Sequence, residues 1–122
     1  MIVIRLIATL AFATGVAYAA EEHMPRHGGI VGETKEVEYE LVAKADRLVL
    51  HVREHNGKPI DVSRATAKLT LLAGTEKQEV EMKPAGSIFE ASGSFKVGRG
   101  TKVVAVVTIP GKRAGTPRFT LK

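Results

Sequence analysis

The run Glu36-Val37-Glu38-Tyr39-Glu40-Leu41-Val42-Ala43, followed after Lys44-Ala45-Asp46 by Arg47-Leu48-Val49-Leu50-His51-Val52-Arg53, decides the fold class. Val37, Tyr39, Leu41 and Ala43 fall on one face and Glu36, Glu38 and Glu40 on the other, a period of two that belongs to a half-buried strand. Leu48, Leu50 and Val52 repeat the pattern. A hairpin that pairs Ala43 with Leu48 also pairs Leu41 with Leu50 and Tyr39 with Val52. A slip of one residue would set every apolar side chain against a charged one, so the register is strongly specified. On the polar face the same register puts Glu40 opposite His51 and Glu38 opposite Arg53. Cross-strand pairs of this kind contribute roughly 0.2–1 kcal/mol, and the pattern reads as a solvated face.

Towards the C-terminus the alternation continues. Asn56-Gly57 supplies a turn, and Ile60 and Val62 after Pro59 suggest a short edge strand. Ala67, Leu69 and Leu71 alternate with Lys68 and Thr70, Gly74-Thr75-Glu76-Lys77 turns the chain, and Val80 and Met82 alternate with Glu79, Glu81 and Lys83. Pro84-Ala85-Gly86 interrupts the pattern, residues 88–95 resume it, and Gly98-Arg99-Gly100 turns again. Val103-Val104-Ala105-Val106-Val107 has no polar face and is expected to be a central strand covered on both sides, or the strand around which the core is built. Beyond the basic loop at residues 110–115, Phe119 and Leu121 form a last strand. No segment reads as an amphipathic helix. About seven short strands separated by turn signals predict an all-β domain over residues 30–122, an immunoglobulin-like antiparallel β-sandwich, with a small barrel as the second choice.

Upstream of the strands, residues 1–19 read as a signal peptide. Arg5 precedes an apolar run from Leu6 to Ala13, and Ala17 and Ala19 occupy the minus-three and minus-one positions of an A-x-A cleavage site. A membrane span needs ~20 consecutive apolar residues, and Thr9, Thr14 and Gly15 break this run. The expectation is an exported, periplasmic protein with no stable membrane insertion after cleavage. The chain has no cysteine, so stability has to come from the core rather than from disulfides. Residues 20–29 are expected to be a flexible segment containing histidine and methionine.

The chain carries 18 Lys and Arg against 13 Asp and Glu, and the balance is uneven. From residue 83 onward the only acidic residue is Glu90. Such asymmetry suits an anionic partner or a solubilising surface. With no Trp, two Tyr and four Phe there is little for bases to stack on, and nucleic acid is not an expected partner. Catalysis is not expected either. No Ser lies in a Gly-x-Ser-x-Gly setting. Gly93 and Gly98 have phosphate-loop spacing, but Arg99-Gly100 replaces the Lys-Ser/Thr that such a loop needs. The paired carboxylates at Glu36, Glu38 and Glu40 and at Glu79 and Glu81 sit where solvent-facing charge belongs.

Metal chemistry fits better. His23-Met24-Pro25-Arg26-His27 places an imidazole, a thioether and a second imidazole within one short segment. Thioether suits Cu(I), and imidazole suits Cu(II), Zn(II) and Ni(II). His23 and His27 are the first candidate ligands and Met24 a softer third. His51 is added because Glu40, across the strand pair, could orient its ring as an outer carboxylate does. His55 is weaker. A short histidine-containing terminus also occurs without any metal, and the competing reading is a non-enzymatic periplasmic module for protein–protein interaction that uses the basic half or a free sheet edge.

His27-Gly28-Gly29-Ile30-Val31, then Tyr39-Glu40-Leu41-Val42, Gly57-Lys58-Pro59-Ile60-Asp61, Leu69-Thr70-Leu71-Leu72-Ala73-Gly74 and Pro110-Gly111-Lys112 resemble the small His-Gly-Gly-led β domain associated with periplasmic adaptor subunits of heavy-metal efflux pumps. The resemblance spans most of residues 30–122. It implies a role in copper- or zinc-type efflux or resistance, a transition-metal ion near the His-Gly-Gly segment, and heavy-metal efflux pump components as partners. An adaptor also carries a helical hairpin, a lipoyl-like domain and a barrel, for which this chain has no room, so the implied role is that of an accessory or carrier.

Overall fold

In a computed structural model, residues 24–122 are described; the signal-peptide reading and His23 lie outside the described residues. The chain forms β1 (Ile30–Glu33), β2 (Glu38–Lys44), β3 (Arg47–Arg53), β4 (Thr66–Ala73), β5 (Glu76–Ala85), β6 (Ile88–Ser92), β7 (Lys102–Thr108) and β8 (Arg118–Thr120), with no helix among the described residues. All pairings are antiparallel, in the order β1-β2-β3-β6-β5-β4-β7-β8. The β2–β3 hairpin has the register that the alternation demands, with Tyr39 against Val52, Leu41 against Leu50 and Ala43 against Leu48.

The all-β expectation holds, with eight strands and with the layers joined into one ladder. The joint is β5. Its first part pairs with β4 from Glu76 to Met82, and its last part, Lys83 to Ala85, pairs with β6. Pro84 therefore does not end the strand as its position in the sequence suggests. It sits opposite Phe89 at the place where β5 changes neighbours, and a residue without an N–H is tolerated at such an irregularity. At the far ends of the ladder β1 and β8 come close together: a Cβ added to Gly32 would lie 3.0 Å from the Phe119 ring and 3.1 Å from the Arg118 carbonyl. The result is a nearly closed, barrel-like sheet.

The inward-facing residues of every strand meet in one core. Leu50, Leu69, Phe89, Ala105 and Val107 are fully buried there, with Tyr39, Leu41, Leu48, Leu71 and Val103 almost as enclosed. Ile60 and Val62 join this core without forming a strand. Pro59 makes only an isolated bridge to Arg53. In β7 the faces differ: Val103, Ala105 and Val107 are buried in the core, Val104 is half-buried and Val106 is half exposed.

The opposite face of β2 and β3 holds the largest departure. Glu38, Glu40 and Arg53, assigned to solvent by their alternation, are 2%, 0% and 4% exposed. The chain ahead of β1 lies across this face and removes it from water.

Candidate functional site

Glu40 is the centre of that covered face. Its Oε1 accepts from the backbone N–H of Arg26 at 2.9 Å and from Arg53 Nη1 at 2.9 Å. Its Oε2 accepts from the N–H of His27 at 2.7 Å and of Gly29 at 2.9 Å. Successive backbone N–H groups curled round an anion form a nest, and here the anion is the protein's own carboxylate. Burial by itself would raise the Glu40 pKa, but the Arg26 and Gly29 N–H groups, Arg53 and the His27 N–H together bring it down to about 2.

The His-Gly-Gly sequence is what lets the chain curl this tightly. Gly28 has φ of +75°, a left-handed conformation open to glycine at no steric cost. Gly29 is required for a different reason. A Cβ there would lie 2.4 Å from the Leu41 carbonyl oxygen, so only a residue without a side chain can approach β2 so closely. The stretch read as a loose lead-in is thus hydrogen-bonded to β2 at Arg26, His27 and Gly29.

Arg53 completes the network. Its Nε donates to Glu38 Oε2 at 2.6 Å and its Nη2 reaches the Met24 carbonyl at 3.5 Å. One guanidinium thus serves two buried carboxylates, Glu38 and Glu40. Both carboxylates hold the Arg53 pKa up against the lowering effect of burial. Glu38 is the less satisfied of the two. Its Oε1 is buried and has no hydrogen-bond partner among the described residues, and an unmet buried acceptor costs ~1–3 kcal/mol, more when charged.

With its backbone fixed by Glu40, His27 lays its ring on that of His51. The centroids are 3.7 Å apart and the planes 5° from parallel. His27 is exposed and His51 half-buried. Burial first, and then the neighbouring His27 ring, lower the His51 pKa from its usual 6.5; Arg53 adds to this and Glu40 opposes it. The lowered pKa favours the neutral form of His51 near neutral pH. Shallow grooves flank the pair, one lined by Val42, Lys44, Arg47, Val49 and Ile88, the other by Arg26, Val52, Arg53, Gly57, Pro59 and Ser87.

Of the candidate ligands read from the sequence, His27 and His51 are brought face to face. Met24 is held to the same network through its carbonyl, with its side chain largely exposed. His55 lies elsewhere: its Nε2 is 2.9 Å from the Thr34 carbonyl, and its ring groups with Glu33 and Glu38. The sequence reading missed the buried Glu38–Arg53–Glu40 network. Its signal was present in the register, which set Glu38 against Arg53 and Glu40 against His51, but nothing local distinguishes a solvated pair from one beneath a strap. No family model, no curated protein and no solved structure matches the chain.

Proposed function

We propose that this is a periplasmic transition-metal-binding protein, an accessory or carrier in copper- or zinc-type efflux or resistance, with His27 and His51 as its central ligands. The observation that carries this reading is the pairing of these rings from two separate parts of the chain, 3.7 Å apart and parallel. Two nitrogens bound to one tetrahedral ion at ~2.0–2.1 Å are about 3.4 Å apart. Because imidazole lone pairs lie in the ring plane, binding one ion requires the exposed His27 ring to turn out of its parallel stack on His51. The lowered His51 pKa favours its neutral form, the form that ligates a metal. Glu40 fixes the His27 backbone and so plays the orienting part that outer carboxylates play at metal sites. Met24 and His23 lie on the adjoining segment and supply further donors, a thioether among them, which favours copper in its reduced form. The resemblance of the His-Gly-Gly-led sequence to the efflux adaptor domain supports the same assignment and names the partner class, the components of a heavy-metal efflux pump.

Calorimetric titration of the mature protein with Cu(II), and with Ag(I) in place of Cu(I), tests the reading. One-site binding is expected, and His27→Ala combined with His51→Ala abolishes it. Equal affinity in that double variant would refute the assignment.

A further inference from the structure

Two residues along β2 from Glu40, where β1 gives way to β2, the antiparallel register sets Glu33 directly opposite Glu38. Like charges facing each other across a strand pair are unfavourable. Arg53 pairs with one oxygen of Glu38 through its Nε, while its Nη1 is committed to Glu40. His55, just beyond β3, completes the group: Glu33, Glu38 and His55 each place a ligand atom within 4.8 Å of the other two.

A cluster of carboxylates is ordinary on a protein surface. What distinguishes this one is Glu38. The residue is 2% exposed, one oxygen is held by Arg53, and the other, Oε1, is buried with no hydrogen-bond partner among the described residues. Among the described residues this carboxylate oxygen is withdrawn from water without a hydrogen-bond donor, an arrangement that a cation would complete. His55 is positioned in the way that ligating histidines are. Its Nε2 lies 2.9 Å from the Thr34 carbonyl oxygen, which accepts from an N–H there and fixes the ring's orientation.

We propose that Glu33, Glu38 and His55 form a second divalent-cation site, separate from the His27–His51 pair and suited to a zinc-class ion. Two carboxylate oxygens and one imidazole nitrogen are a harder donor set than the imidazoles and thioether of the first site, and they select accordingly. Zinc takes such donors at ~2.0–2.2 Å, which puts neighbouring ligand atoms about 3.4 Å apart. Donors no more than 4.8 Å apart reach that spacing by small rotations of Glu33 and His55, both of them exposed, while Glu38 stays fixed by Arg53. The site does not depend on the first one, and neither proposal falls with the other.

The test uses the His27→Ala, His51→Ala protein as background, so that zinc bound by the imidazole pair does not contribute. Titrated with Zn(II) in a calorimeter, this background is expected to show one-site micromolar binding. Adding Glu33→Gln or His55→Ala, surface changes that leave the Arg53 network intact, is expected to weaken binding by about tenfold or more, the scale on which metal sites respond to loss of a supporting group. The His55 ring resonances should shift on zinc addition in the background protein. Absence of micromolar binding in the background overturns the proposal. So does binding that survives both substitutions unchanged.

Discussion

Replacing Glu40 with Gln keeps the size of the side chain, removes its charge and turns one of its two acceptor oxygens into a donor. The Arg26, His27 and Gly29 N–H groups and Arg53 Nη1 all point at that carboxylate, so at least one backbone N–H then faces an NH2 group. The size of the effect follows from the titration of Glu40, which lies at about 2 in the folded protein against an ordinary 4.5. That gap converts to about 3 kcal/mol of folding free energy, in line with the ~3–5 kcal/mol lost when one partner of a buried ion pair is removed. The folded-state pKa is depressed, so this stability is present in full above pH 4.5 and is lost as the pH falls towards 2. In metal-free protein, urea unfolding at pH 7 should show E40Q less stable by about 3 kcal/mol, equivalent to ~12–24 °C in Tm for a domain of this size. Amide exchange should show lost protection at Arg26, His27 and Gly29. The stability difference between parent and variant should shrink as both are taken from pH 4.5 to 2. A variant within ~0.5 kcal/mol of the parent at pH 7, or a difference that does not change over that acid range, would refute the account of the nest.

Other expectations follow from the same geometry. Gly29→Ala puts a Cβ 2.4 Å from the Leu41 carbonyl and should cost more than about 2 kcal/mol in chemical denaturation; Gly28→Ala, where the added Cβ meets nothing within 4 Å but φ is +75°, should cost less. Phe89→Ala empties a position that is 0% exposed and should destabilise the domain by ~3–5 kcal/mol, which equilibrium unfolding can read. In metal-free protein, His51 should titrate below 6.5 by NMR, and His27→Ala should move its midpoint upward by removing a like-charged neighbour. Between the lowered midpoint and 6.5 the unfolded chain binds more protons, so stability rises with pH across that window. A His51 midpoint indifferent to His27→Ala would mean that the stacked geometry does not persist in solution.

The amino-acid sequence by itself determined the strands and their local pairing, because both depend on near neighbours. The alternation of Val37, Tyr39, Leu41 and Ala43 with glutamates admits one inward face, and only one register of β2 against β3 keeps that face apolar. The pairing of Glu38 with Arg53 and of Glu40 with His51 comes with it. Periodicity failed where an element's environment is set from a distance. Val104 and Val106 make β7 look covered on both sides, yet Val104 is half-buried and Val106 half exposed. Pro84 reads as a break because the sequence does not reveal that β5 exchanges β4 for β6 at that point. The site depends most of all on tertiary structure. Whether Glu38, Glu40 and Arg53 lie in water or beneath the chain cannot be read from β2 and β3, whose pattern is the same in both cases. It is decided by residues 26–29, where the left-handed Gly28 and the side-chain-free Gly29 let three backbone N–H groups close on Glu40. That closure brings His27 onto His51. Beside it Glu38 is buried with its Oε1 lacking a hydrogen-bond partner among the described residues, the feature from which the second cation site is proposed.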